Sequence, residues 1–241
     1  VGIFSANYIT NRLYLLSEHA RKVTEGDFNT SITPKGNDEV TDLTQHFNKM
    51  TKELSRLMLA TANKARMEAE LKTAQAVQET LFPDNEYNSD KVQICGYYQS
   101  ASECGGDWWS YTEKNDQIYF WIADATGHGV SAALLTSAAK STVTLLEDMN
   151  LTAVENMRIL NKAIRSVAKE KLMMTCFHAI YNKSTRSLTY VNASHEPPIL
   201  FKKCEDIHTK GSLVFLNENI NGRLGYAADT DYVSSEYLLE E

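Results

Sequence analysis

The sequence predicts an α+β protein in which helical segments come first and a layered domain of strands and helices follows. In the first third of the chain, apolar residues recur at alternating steps of four and three, as on one face of a helix. From about residue 86, a short β-prone run is followed by two longer ones, two helical segments and further β-prone runs. The composition is 43% hydrophobic, which is enough for a packed core.

Two amphipathic helices are predicted before residue 58. The apolar face of the first comprises Ile9, Leu13, Leu16, Ala20 and Val23. The apolar face of the second comprises Val40, Leu43, Phe47, Met50, Leu54 and Leu57. Gly26-Asp27 is expected to stop the first helix, and Asp38 to open the second after a connector.

Three motifs in this region resemble the HAMP linker of membrane receptors: Glu25-Gly26-Asp27-Phe28, Asp38-Glu39-Val40 and Phe47-Asn48-Lys49-Met50. The resemblance covers residues 8–58 and leaves residues 1–7 as a membrane-proximal stub. It implies a parallel coiled coil that dimerises and relays motion from a membrane helix to an output domain. Arg12-Leu13 stands where an early proline is usual. The alternative is an ordinary helical bundle, since any two amphipathic helices give this pattern.

Residues 59–85 are predicted to form a helical coiled-coil linker. Its apolar face repeats a three-residue step after Leu57, and such a phase break overwinds a coiled coil locally. Lys64 and Gln78 are polar positions on this face, so we expect a weak coil that can change its packing. A plain surface helix is the alternative.

Two carboxylates are placed so that a hairpin would bring them together. Asp107 follows Gly105-Gly106, and Asp124 ends the apolar run 118–123, just before Gly127-His128-Gly129. The sixteen residues between them suffice for two strands and a turn at Lys114-Asn115-Asp116. Paired carboxylates with few nearby histidines favour Mg²⁺ or Mn²⁺ over zinc. Alternatively, Gly-Gly-Asp is a plain turn and Asp124 caps the helix that starts near Val130.

The remaining elements follow from local patterns. One helix is predicted from Val130 to Glu147. A second helix is predicted to begin at a Thr152/Glu155 capping box and to end at about Lys169. Strands are predicted from about Val92 to Tyr98, then at about 176–181, 187–192, 199–202 and 213–216, and from near Tyr232, with a turn at Lys210-Gly211.

An ordered set of motifs resembles the bacterial branch of the metal-dependent serine/threonine protein phosphatases, typified by sporulation and sigma-factor regulators. Besides the Asp107 and Asp124 motifs, the set comprises Gln78-Glu79-Thr80-Leu81-Phe82-Pro83, Met174-Thr175-Cys176-Phe177 and Tyr190-Val191-Asn192-Ala193-Ser194-His195-Glu196-Pro197-Pro198. The resemblance places the phosphatase domain at residues 86–241. It implies an α-β-β-α sandwich of two stacked antiparallel sheets between helices.

The resemblance also implies a site. Asp107, Asp124 and the carbonyl of Ala125 would bind a pair of Mn²⁺ or Mg²⁺ ions that activate water for attack on phosphoserine or phosphothreonine. Ser110 stands where the family often has a second aspartate, which puts a metal role there in doubt. We expect His128 to fix its turn, and His195, the family's loop histidine, to have a structural role beside Ser194, where glycine is usual.

Family members continue past the position of Leu238 with a strand and two further aspartates, one in a Thr-Asp-Gly motif. The resemblance therefore implies that the sandwich lacks its last strands and that this chain belongs to a longer phosphatase. Asp229 and Asp231 match neither motif. The competing interpretation is a non-catalytic, dimeric signalling scaffold with a degenerate phosphatase domain.

Composition and the two resemblances together predict the setting. The net charge is −7 and its acidic excess lies after residue 85, which argues against a nucleic-acid partner. Four cysteines, Cys95, Cys104, Cys176 and Cys204, form no Cys-x-x-Cys pair, as in reduced cytosolic domains, and Cys104 is expected in the core. We expect a homodimer, formed through the HAMP and linker helices, at the cytoplasmic face of a bacterial inner membrane. A preceding transmembrane helix outside this chain would anchor it. The substrate would be a phosphorylated protein, in the family often an anti-sigma-factor antagonist.

Overall fold

The computed structural model describes residues 2–100, 102–169, 171–202 and 213–239, with the backbone alone for residues 2–6. The chain divides into two compact units, Val1–Glu70 and Leu71–Glu241. Cys204 and the predicted turn at Lys210-Gly211 lie outside the described residues.

The first unit is helical, as predicted. Helix α1 covers Gly2–Thr24, and helix α2 begins at Glu39 and continues to Glu79. Gly26 has a φ of +95°, a conformation that glycine adopts readily, just after α1 ends. Asp38 caps α2 by accepting a hydrogen bond from the Thr41 amide at 3.0 Å.

Polar contacts connect α1 with the start of α2. Arg12 donates to the Asp38 carboxylate at 2.6 Å and to the Thr41 hydroxyl at 2.8 Å. The Asn48 side chain accepts from the Ile32 amide at 3.0 Å and donates to the Ile32 carbonyl at 2.7 Å. The connector is therefore fixed at both its end and its middle. Within the described residues, no helix is both long enough and apolar enough to cross a membrane.

The second unit contains one five-stranded antiparallel sheet and two two-stranded hairpins. The strands are β1 (Glu86–Asn88), β2 (Gln93–Cys95), β3 (Asp107–Lys114), β4 (Gln117–Ala125), β5 (Met174–Asn182), β6 (Ser187–Ala193), β7 (Ile199–Phe201), β8 (Leu213–Phe215) and β9 (Ser235–Leu238). The large sheet has the order β3-β4-β5-β6-β9, and the hairpins pair β1 with β2 and β7 with β8. Mixed α+β architecture is thus confirmed. The resemblance implied two stacked sheets. In the described residues, however, the strands outside the large sheet form only two separate two-stranded hairpins.

Two helices cover one face of the large sheet. Helix α3 covers Val130–Leu146, and helix α4 covers Ala153–Ala168 after the predicted Thr152/Glu155 capping box. The main core lies between these helices and the strands, and it includes Trp108, Trp121 and Leu160. A smaller buried cluster, around Phe177 and Tyr190, lies on the opposite face of the sheet, because successive side chains of a strand point to opposite faces.

Several boundaries differ from the predictions. The predicted strand from Val92 to Tyr98 is shorter, because only Gln93–Cys95 pairs with β1, a strand that the sequence patterns did not predict. The last described strand begins at Ser235 rather than Tyr232. Tyr232 is instead buried in the core, and the Val233 amide donates to the Asn221 side chain at 2.7 Å. The alternative role of Asp124 as a helix cap is wrong, because Gly129 is the N-cap of α3.

Candidate metal centre

The loop before β3 is held against the end of β4 by backbone hydrogen bonds. The Ala125 amide donates to the Gly106 carbonyl at 3.0 Å, and the Gly129 amide donates to the Cys104 carbonyl at 3.1 Å. These bonds join the segment that precedes Asp107 to the segment that follows Asp124. Cys104 is 1% exposed and burial raises the pKa of its thiol, so it packs in the core as predicted.

The hairpin of β3 and β4 places Asp107 directly opposite Asp124, and Asn115, with a φ of +55°, lies in its turn. Opposed Cα atoms in an antiparallel pair lie about 4.5–5.5 Å apart, so the two side chains share one face. Both residues are exposed at the sheet end. Partial burial raises the pKa of Asp124, and the negative charge of Asp107 raises it further. Two carboxylates that disfavour each other's charge favour a bound cation.

Gly106 leaves room for two oxygens beside this pair. A Cβ atom at residue 106 would lie 2.4 Å from the Ala125 carbonyl oxygen and 3.0 Å from Asp124 Oδ1. The two oxygens therefore converge on the space that a side chain would fill. Carboxylate and carbonyl oxygens are the ligands that hard divalent cations prefer, so Asp107, Asp124 and Ala125 fit Mg²⁺ or Mn²⁺. The described residues contain no cluster of three or more histidine, cysteine, aspartate or glutamate side chains suited to a metal.

Asp107, Asp124 and Thr175 lie side by side on β3, β4 and β5, and this line of side chains is called the carboxylate row. Thr175 of β5 is the cross-strand partner of Asp124, and its hydroxyl lies 2.9 Å from His195 Nδ1. The Asn192 side chain accepts from the His195 amide at 2.7 Å and donates to the His195 carbonyl at 3.0 Å. Burial lowers the pKa of His195, while the charges of Asp124 and Asp107 oppose that shift. His195 is therefore fixed within electrostatic range of both carboxylates.

The last turn of α2 holds the loop in front of Asp107. Gln78 is 3% exposed, and its side chain donates to the Gly105 carbonyl at 2.7 Å and accepts from the Gly105 amide at 3.1 Å. It also donates to the Thr136 hydroxyl of α3 at 3.2 Å. The interpretation of Gln78 as a coiled-coil position is therefore wrong, because its side chain is buried against its own unit.

Ser110 and His128 lie apart from the carboxylate row. Ser110 is three residues from Asp107, so strand alternation turns it to the opposite, helix-covered face. There it is buried, 3.5 Å from Lys140 Nζ. An aspartate at this position would face that lysine rather than the carboxylate pair. His128 is exposed between Gly127 and Gly129, whose φ angles are +96° and +72°.

Three residues around the candidate metal centre were not predicted to support it: Gln78, which holds the loop before Asp107, and Thr175 and His195, which lie near Asp124. Thr175 and His195 lie in motifs that carried the family resemblance, but only strand register shows that Thr175 faces Asp124. Strand register is set by pairing between distant segments. The sequence signal for Gln78 was its polar side chain on a mainly apolar helix face. Lys64 gives the same signal, and the pattern is also compatible with a weak coiled coil.

Comparison with known proteins agrees with this architecture. A family model described as stage II sporulation protein E (SpoIIE) matches residues 114–241, more than half of the chain. The match begins after Asp107 and includes Asp124. A HAMP domain model matches residues 4–56.

Two curated relatives come from Bacillus subtilis (strain 168). Phosphoserine phosphatase RsbU is 25% identical over 179 residues, which is 73% of this chain and 50% of RsbU. Phosphoserine phosphatase RsbP is 28% identical over 135 residues, 54% of this chain and 33% of RsbP. The chain thus spans half or less of the length of these relatives.

Among solved structures, the SiaA-PP2C domain of Pseudomonas aeruginosa superposes with a TM-score of 0.58 at 19% identity. The match covers 74% of this chain and 70% of that domain. At this identity the likeness concerns the fold alone. With a HAMP domain at its N-terminal end and a SpoIIE match over more than half of its length, the chain belongs to the stage II sporulation protein E family.

Proposed function

We propose that this chain carries a metal-dependent phosphatase domain that hydrolyses phosphoserine or phosphothreonine on a partner protein. The observation that carries the proposal is the register of β3 and β4, which pairs Asp107 with Asp124 beside the Ala125 carbonyl. The curated relatives RsbU and RsbP, both named phosphoserine phosphatases, support the same reaction class.

The proposed chemistry assigns a role to each group in the row. Asp107, Asp124 and the Ala125 carbonyl would hold Mg²⁺ or Mn²⁺, as a pair of ions in the full site. A divalent cation there supplies Lewis acidity for phosphoryl transfer. Gly106 keeps the space beside the oxygens open, and Thr175 fixes the ring of His195 near the carboxylates. We propose that His195 orients the phosphoryl group from this position.

Control by an upstream signal is part of the proposal. We propose a HAMP module at residues 8–58, a helical linker at 59–85 and the phosphatase domain from residue 86. Apolar side chains of the HAMP helices are exposed in the single chain, including Ile9, Leu43 and Met50, which supports a homodimer. Contact between Gln78 and Gly105 would transmit a change in α2 to the metal loop. The whole protein would lie at the cytoplasmic face of the inner membrane, with an anti-sigma-factor antagonist as its phosphorylated partner.

One observation favours a second candidate function. Among the described residues, only two carboxylates and a backbone carbonyl converge, without a third acidic, histidine or cysteine side chain. A dimeric scaffold that binds a phosphoprotein without hydrolysing it would need no fuller ligand set. The two candidates differ in a single measurable property, the release of phosphate.

The test measures Mn²⁺- and Mg²⁺-dependent phosphate release from a phosphoserine protein by the full chain. Asp124→Ala removes one proposed ligand, and Asp90→Asn removes an exposed carboxylate outside the site. We expect release by the unmodified chain and by Asp90→Asn, and its loss in Asp124→Ala. Equal release by all three would exclude the proposed site. Binding of the phosphoprotein without release by any of them would support the scaffold.

A further inference from the structure

A row of basic side chains follows the outer face of α4. Arg158, Lys162 and Arg165 recur at steps of four and three, which places them on one stripe, and Lys169 follows as the C-cap residue of the helix. The opposite stripe, including Met157, Leu160 and Ile164, is buried in the core.

This stripe forms one wall of a groove of about 610 Å³, which we call the α4 groove. Its lining residues are Arg158, Lys162, Arg165, Ser166, Lys169, Ala228 and Asp229. Among the described lining residues, four basic side chains face one carboxylate, that of Asp229. Asp231, outside the lining, lies 3.0 Å from Arg158. The described lining is therefore mainly basic, which favours an anionic ligand.

Hydrogen bonds hold the second wall, residues 225–231, on the helix. The Asn161 side chain donates to the Ala227 carbonyl at 2.9 Å and accepts from the Gly225 amide at 2.8 Å. Arg165 donates to the Tyr226 carbonyl at 3.3 Å. The groove is therefore preformed, so a ligand would not have to order this wall on binding.

The C-terminal end of α4 and the second wall are both connected to the strands that carry Asp124 and Thr175. Just beyond Lys169, the Met173 amide donates to the Thr126 hydroxyl at 2.8 Å, two residues after Asp124. The other wall is tied to the start of β5, because the Leu224 amide donates to the Met174 carbonyl at 2.9 Å. Thr175, the partner of Asp124, is the next residue of that strand.

We propose that the α4 groove binds an acidic segment of the phosphoprotein substrate, an inference that rests on the function proposed above. Lys162 and Lys169 would contact carboxylates of the segment, on the helix side of the sheet, and so hold the substrate on the domain that carries the metal centre. A protein segment fits better than a lipid surface, because the site is concave and its second wall carries Asp229. A flat anionic bilayer would meet that carboxylate as well as the lysines.

The test uses the full chain and two fluorescein-labelled phosphoserine peptides, one with glutamates around the phosphoserine and one with glutamines in their place. Fluorescence anisotropy in metal-free buffer measures binding without turnover. We expect the glutamate peptide to bind about tenfold more tightly, since each exposed ion pair contributes about 0.2–1 kcal/mol. The preference should fall as salt rises to about 0.5 M.

Lys162→Gln/Lys169→Gln should remove the preference for the glutamate peptide. The matched control, Lys72→Gln/Lys91→Gln, changes the charge equally at exposed lysines outside the groove and should retain it. An unchanged preference in the groove variant would overturn the proposal. So would loss of binding to phosphatidylserine vesicles in the groove variant without any change in peptide binding, which would assign the groove to a membrane.

Phosphate release, measured separately with Mn²⁺, distinguishes the two proposals. Lysine-dependent binding without phosphate release would leave the acidic-segment site standing and remove the enzymatic function. Release from both peptides at rates that do not depend on Lys162 and Lys169, with no binding preference, would keep the enzyme and remove the site.

Discussion

On one face of the five-stranded sheet, α3 and α4 bury large apolar side chains, whereas the other face carries exposed carboxylates at its end. The same strands build both faces. In β3, Asp107 is exposed while its neighbour Trp108 is 1% exposed, and in β4, Asp124 lies between the buried residues Ala123 and Ala125. The difference arises from strand alternation, which turns successive side chains to opposite faces.

This arrangement separates stability from chemistry within single strands. The helix-covered face contains the main hydrophobic core, so most of the burial free energy of the unit is gained there. The carboxylate face has a smaller buried cluster, around Phe177 and Tyr190, and at its end it places two like charges together. Substitutions on the two faces should therefore change different properties, activity on one and stability on the other.

Replacing Asp124 with asparagine should give the largest effect on activity and almost none on stability. Losing a metal ligand removes several kcal/mol of transition-state stabilisation, so we expect phosphate release to fall roughly 10³-fold. Burial, and next the charge of Asp107, raise the pKa of Asp124, and asparagine removes both costs, so the thermal midpoint should stay equal or rise. Phosphate release and calorimetry check the two results. A clearly lower midpoint would show that the faces are not separate.

His178 tests the helix-covered face through pH. It is fully buried and stacked 3.5 Å from Trp121, its Nδ1 lies 3.0 Å from the Phe120 carbonyl, and its Nε2 lies 3.1 Å from Asn156 Nδ2. A carbonyl only accepts, so Nδ1 carries the proton and Nε2 accepts from the amide of Asn156. These partners suit the neutral ring, and burial lowers the pKa of His178 to about 3.

The folded pKa lies below the unfolded value, so the unfolded chain binds a proton first as the pH falls. The stabilising contribution is complete above about pH 6.5 and is lost from there toward pH 3. Between pH 7 and pH 5 we expect a loss of roughly 2 kcal/mol in the free energy of unfolding. His178→Gln should flatten this part of the profile in urea titrations. Parallel profiles for the two proteins would contradict the assignment.

Gln78 connects the two faces, because it lies against α3 and holds the loop before Asp107. In Gln78→Ala, the Gly105 amide and carbonyl lose their partner, which typically costs about 1–3 kcal/mol. We expect part of this loss to appear as a higher Mn²⁺ concentration for half-maximal phosphate release, by about tenfold. Gln75→Ala is the control, because this half-buried glutamine one turn earlier bonds only to Glu79 of its own helix among the described contacts. Equal Mn²⁺ dependence in both variants would mean that the contact is structural only.

Much of the architecture could be predicted from local patterns. The hairpin turn near Asn115, the Thr152 capping box and the pairing of Asp107 with Asp124 follow from turn chemistry, capping and strand lengths. These features depend on residues close together in the sequence. Tyr232 was less predictable, because aromatic residues favour strands, whereas its burial outside a strand depends on tertiary packing.

The remainder of the site depends on contacts between distant segments. Thr175 faces Asp124 only because β4 and β5 pair in one register, and Gln78 meets Gly105 across 27 residues. No periodicity encodes such contacts. The position of Ser110 required one long-range fact and one local rule. Once Ser110 and Asp107 are assigned to the same strand, their separation of three residues places them on opposite faces.

Ser110→Asp gives the smallest expected effect and the sharpest test of the two faces. An aspartate at residue 110 would face Lys140 on the helix-covered side, so the pair should offset most of its own desolvation. We expect a change below about 1 kcal/mol in the free energy of unfolding and an unchanged Mn²⁺ dependence. With Lys140→Gln added, the buried carboxylate loses its partner, and the same substitution should then cost roughly 3 kcal/mol. Urea titrations of the four proteins in this double-mutant cycle measure the difference. A shift in Mn²⁺ dependence caused by Ser110→Asp alone would place residue 110 at the metal centre after all.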